Sequence, residues 1–142
     1  MDAREKAEQL VSALLPYAEE MLVKTGEFVP YGGVITPDGN VHLVEFTVDE
    51  GKPSAEQIFQ SAKETMREGA QAGKYTTTAL VANVTVAKSD EEQTISAVSV
   101  ALDDVEGNSL EIFFPYTMSA GKVEFGTAFA QRGAGKIFGN AV

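Results

Sequence analysis

The segment EFVPYGGVITPDGNVHLVEF, residues 27–46, decides the fold. Two runs rich in Val, Ile, Leu and aromatics flank Thr36-Pro37-Asp38-Gly39-Asn40, the pattern of a β-hairpin. With Asp38-Gly39 as a two-residue turn, Ile35 faces His42 and Tyr31 faces Phe46. Side chains alternate along a strand, so this register gathers Val29, Tyr31, Ile35, Val44, Phe46 and Val48 on the core side. The first strand nevertheless contains Val29-Pro30-Tyr31-Gly32-Gly33. Proline cannot donate to a strand ladder, and paired glycines let another backbone or a ligand come close. A second Pro-Tyr lies in EIFFPYTM, residues 111–118.

Helical spacing precedes the hairpin. From Ala3 to Lys24, the residues Ala7, Leu10, Val11, Leu14, Ala18, Met21 and Leu22 make one apolar stripe. Pro16 inside it predicts a kink or break near Leu14-Leu15, and Gly26 marks the helix end. After the hairpin, Ser54 and Gln57 form a capping box that opens a helix to about Gln71. Its buried stripe is Ile58, Phe59, Ala62, Met66, Gly69 and Ala70, and Gly73 closes it. Three strand-like runs follow, Tyr75 to Ala87, Thr94 to Leu102 and Ser109 to Tyr116. One face groups Leu80, Val84, Val86, Val98, Val100 and Leu102. The other, with Thr77, Ala79, Val81, Ile95, Ala97 and Ala101, offers an interface. Residues 119–142 are read as an irregular, glycine-rich tail packed on the body.

The expected fold is therefore α+β, a single domain over residues 1–142. It holds an antiparallel five-stranded sheet in the order α-β-β-α-β-β-β. That order, over residues 3–117, resembles the profilin-like group, in particular roadblock or dynein-light-chain type domains. The FPY phrase is also similar to small bacterial domains of unknown function. The roadblock resemblance implies a binding or regulatory role through protein contacts, a homodimer, and a central pairing of the first and last strands. Such pairing would bring Pro30 and Pro115 together. Tyr31, Gly32, Gly33 and Tyr116 would then form a contact site, with Ser119, Lys122 and the acidic loop Asp90, Glu91 and Glu92 at its rim.

Composition narrows the chemistry. Charge is −10 over 142 residues, which disfavours nucleic acid and anionic membrane surfaces as partners. Residues 75–111 carry seven of the acidic groups and one Lys, so a basic protein partner fits better, as an immunity-type inhibitor of a toxin or enzyme would need. Cysteine is absent, the N-terminus is charged, and no apolar run is long enough for a membrane span. The expectation is a cytoplasmic protein.

Catalytic material is sparse. His42 is the single histidine, expected at a strand rim. Glu45, Asp49, Glu50, Asp103, Asp104, Glu106 and Glu111 read as solvated charge in or beside turns. Asp103 to Asn108 has oxygen ligands and a glycine but lacks the calcium-loop spacing. Gly133-Ala134-Gly135-Lys136 lacks the Ser/Thr and strand-loop-helix context of a phosphate loop, leaving at most an anion contact through Arg132 and Lys136. No cofactor or metal is expected. A small-ligand protein or enzyme with a site near Tyr31 and Tyr116 is the alternative to the protein-contact module.

Overall fold

The computed structural model describes residues 3–46, 54–87, 94–133 and 137. The elements are α1 (Ala3–Thr25), β1 (Tyr31–Ile35), β2 (Val41–Glu45), α2 (Ala55–Gln71), β3 (Thr77–Ala87), β4 (Thr94–Asp104), β5 (Ser109–Ser119), β6 (Lys122–Phe125) and β7 (Phe129–Arg132). The class is α+β with an antiparallel sheet and two helices, as the residue pattern predicts. Among the described residues seven strands replace the expected five, because the glycine-punctuated tail supplies β6 and β7. Both pair with β5, β6 along Tyr116–Ser119 and β7 along Leu110–Phe113.

Strand order is β2-β1-β3-β4-β5-β6, with β7 also on β5. The first and fifth strands are not neighbours, which overturns the pairing that the roadblock resemblance implies. Instead β3 returns from α2 to lie beside β1, with Tyr31 opposite Val81 and Ile35 opposite Thr77. Two strands then separate Pro30 from Pro115, a gap of roughly 14 Å before any offset along the strands.

The hairpin register is one residue away from the expected one. Ile35 pairs with Val41 and Tyr31 with Glu45. The cause is Pro37: a two-residue Asp38-Gly39 loop would need a Pro37 N–H to close on Asn40, and proline has none. The loop lengthens to Pro37-Asp38-Gly39, with Gly39 at φ 89°, Gly39 N–H donating to the Thr36 carbonyl and Thr36 N–H donating to Asn40. Tyr31 and Ile35 now share a face with Val41, while Val34 shares the opposite face with Val44 and Phe46.

Each face carries one helix. Leu10, Leu14, Ala18 and Leu22 of α1 pack with Tyr31, Ile35, Ala79, Val81, Val98 and Val100. Ala62 and Met66 of α2 pack with Val34 and Leu80, and Ile137 joins them from the tail. The β3–β4 register sets Ala79 opposite Leu102 and Val81 opposite Val100, so these four lie on one face. The expected free face of Thr77, Ala79 and Val81 is thus buried beneath α1.

At Gly32 and Gly33 both helices lie against the sheet. A Cβ on Gly33 would lie 2.8 Å from Leu14 Cδ2 of α1. On Gly32 it would strike the Ala79 carbonyl oxygen and lie 2.6 Å from Met66 Cε of α2. The close approach that paired glycines permit is made by the protein's own helices, one on each side.

Pro16 lies inside a helix that continues unbroken to Thr25. The expected break is absent, and a tyrosine from β1 meets the helix nearby. The buried Tyr31 hydroxyl donates to the Leu14 carbonyl at 2.5 Å, and the Ala18 backbone N–H adjoins the phenol oxygen. Burial pushes the phenol's pKa well up, with the Ala18 contact opposing. Helix α2 follows its sequence more directly: Ser54 and Gln57 form the reciprocal capping box.

Candidate functional site

A cavity of about 620 Å³ opens between the N-terminal half of α1 and the sheet. Its size falls within the range of small-molecule sites, roughly 300–1,000 Å³. The apolar wall consists of Ala7 and Val11 from α1, Leu102 from β4, and Leu110, Ile112 and Phe114 from β5. Thr77, Asp103, Asp104, Asn108 and Ser109 gather at one end, while Arg4, Glu8 and Ser12 complete the lining from α1.

Strand alternation builds this asymmetry. Leu110 lies opposite Leu102, and Ile112 opposite Val100, so the β5 apolar residues continue the face that α1 covers. One step further along β4 on the same face, Asp104 pairs with Thr77 at the end of the β3–β4 ladder. Thr77 is 4% exposed, yet its Oγ1 has no hydrogen-bond partner among the described residues. An unsatisfied buried hydroxyl costs about 1–3 kcal/mol, which a bound polar group would relieve.

Two of the acidic residues expected as solvated turn charge, Asp103 and Asp104, are buried here, while Glu45 and Glu106 are exposed as expected. Asp104 holds the β4–β5 turn: one carboxylate oxygen accepts from the Glu106 and Asn108 backbone N–H groups, each at 2.9 Å, and the other from Asn108 Nδ2 at 2.9 Å. That geometry is an Asx turn, which accounts for the run Asp104 to Asn108 without a cation. Among the described residues no cluster of three His, Asp or Glu side chains suits a metal ion. Asp103 is raised above the usual carboxylate range by burial, with a Ser109 hydrogen bond opposing and the Asp104 charge adding to the rise. The rim is already paired: Arg4 Nε donates to Glu8 Oε1 at 3.1 Å.

The residues singled out from sequence do not converge. Tyr31 is a core residue, with Gly32 and Gly33 beneath the helices. Tyr116 is buried three strands away, and its hydroxyl donates to Asn83 Oδ1 at 2.7 Å. Ser119 and Lys122 are exposed and pair across the β5–β6 hairpin. Asp90, Glu91 and Glu92 lie outside the described residues, as do Asp49, Glu50 and Lys136. His42 is exposed on β2, and Arg132 is exposed on β7. Beside Pro30 and Tyr31 lies a recess of about 120 Å³, with Tyr17 donating to Glu45 at its edge at 3.3 Å.

Sequence reading missed the larger cavity because its lining comes from four separate segments. A partial signal existed: Ala7 and Ser12 are small residues on the first half of a helix whose other core positions are mostly Leu. No helix among the described residues is long and apolar enough to cross a membrane. No family model, curated protein or solved structure matches the chain.

Proposed function

We propose that the protein is a non-enzymatic binding module whose ligand occupies the cavity between α1 and the β4–β5 hairpin. The observation that carries this reading is the Thr77 hydroxyl, buried without a partner at the polar end of an otherwise apolar cavity. A few polar groups at one end of an apolar wall orient a ligand, whereas catalysis needs an activated group that is free to react. The Asp104 carboxylate is occupied by its turn. The test is a small-fragment screen followed by amide NMR. Binders should shift Val11, Leu102, Leu110 and Ile112 together, and hits confined to other surfaces would reject the site.

A second reading, contact with a basic protein or with another copy of the chain, is favoured by the β2 edge. Among the described residues strand β2 pairs with β1 alone, and Leu43 on it is 45% exposed. Unpaired edges of this kind accept a further strand. Sedimentation of the wild type and of Leu43→Lys would test it: a mass above the monomer that falls on substitution supports self-association. Binding of a basic partner that weakens near 0.5 M salt would support the electrostatic form.

A further inference from the structure

The polar end of the cavity has a definite sign. Thr77 and Asp104 are cross-strand partners on the face that lines it, and both are more than nine-tenths buried. Asp103, also buried, adjoins them. The cation in the lining, Arg4, sits at the exposed rim and is engaged by Glu8. Arg132 pairs with Leu110 in the ladder, but it is exposed and does not line the cavity.

The acceptor inventory points the same way. A carboxylate has about four lone-pair sites, and Asp104 uses three on its turn. The remaining site, together with the Thr77 oxygen, can receive two N–H bonds from one head group. An anionic ligand would meet the Asp104 carboxylate at that end with no unengaged cation among the described lining residues to offset it. A cation entering there would partner the hydroxyl and offset charge that burial disfavours.

We infer that the cavity binds a cationic amphiphile, a primary amine on an apolar aromatic or alkyl body, with its ammonium between Thr77 and Asp104 and its body against Leu110, Ile112 and Phe114. This assignment rests on the cavity being the binding site, as proposed above, and adds the chemical class. Three matched probes separate the two ideas: 4-phenylbutylamine, 4-phenylbutanol and 4-phenylbutyrate, each titrated into the full chain by amide NMR.

The amine should shift Val11, Leu102 and Ile112 and bind at least tenfold more tightly than the butyrate, with the alcohol between them. Asp104→Asn keeps an oxygen for the turn and should weaken the amine at least fivefold while leaving the alcohol within twofold. Thr77→Val is nearly isosteric and keeps the result interpretable if the turn variant fails to fold. It should weaken the amine about threefold. If alcohol or butyrate binds at the same amides as tightly as the amine, the cationic assignment is overturned and the cavity reading stands. If no probe moves those amides, both fall.

Discussion

Helix α1 meets the sheet in two different ways along its length. Over β1 it closes down to contact, because Gly33 offers no side chain and Leu10 and Leu14 fill the space. Over the Leu102 end of β4 and over β5 a cavity separates them, with the short Ala7 and Ser12 on the helix side and Leu102, Ile112 and Phe114 on the other. The seam is tight where the sheet is small and the helix large. It opens where the helix is small, and that mismatch provides the volume in which a ligand is proposed to bind. A helix docked over glycine fixes its own height above the sheet, and short side chains elsewhere on it become a cavity rather than a collapse.

Substitutions at the tight end should have the largest effects. Gly32→Ala places a methyl group against the Ala79 carbonyl, a backbone atom that cannot rotate away, and against Met66 from α2. It is expected to cost about 3 kcal/mol, read as a lower urea midpoint. Gly33→Ala meets the flexible ends of Leu14 and Leu10 rather than backbone and should cost less, about 1–2 kcal/mol. Equal losses at the two positions would show that the sheet backbone, not the helices, sets the spacing.

Tyr31→Phe removes the hydroxyl that donates to the Leu14 carbonyl while keeping the ring in the core. The expected loss is about 1–2 kcal/mol, with the far-ultraviolet helix signal retained. No change in stability would mean that this bond between helix and sheet makes no net contribution.

Effects at the open end should be smaller and opposite in sign. Ala7→Leu extends α1 into the cavity and is expected to stabilise the protein by about 0.5–1 kcal/mol while abolishing amine binding. Destabilisation on filling would break the comparison, since it would imply that the wall beneath is already packed.

Asp103→Asn removes a carboxyl whose pKa in the folded protein is raised by burial. For such an acid the folded state binds its proton more readily than the unfolded one. Stability is therefore lost as pH rises from the ordinary carboxylate range through the raised folded value. The variant should melt slightly higher than wild type at pH 7, with the gain vanishing once the pH falls below the ordinary carboxylate range. A gain that is the same at both pH values would assign the effect to packing.

Much of the fold was legible because it is written locally. Ser54 with Gln57, the glycines after each helix and the β-rich runs place both helices and the first five strands within a few residues. What failed was long-range. Pro37 shifts the hairpin register by one, and a single-residue shift exchanges faces for Val44 and Phe46. The position of β3 beside β1 depends on where the chain lands after α2, which no local pattern encodes. Strands β6 and β7 are only four residues each and glycine-flanked, too short for a periodic signal. The glycines of β1 were recognised as places of close approach, but the sequence does not say whether the approaching atoms belong to a ligand or to the protein itself.

The phenol against α1 also ties the behaviour of one side-chain proton to the docking of two layers. An exposed tyrosine O–H exchanges with solvent at once. The Tyr31 hydroxyl is on a buried residue and has the Leu14 carbonyl of α1 as its acceptor, a partner reached only when helix and sheet are docked. Its exchange should therefore follow the separation of helix from sheet rather than the fraying of either, making this proton a built-in reporter of when the two layers come apart.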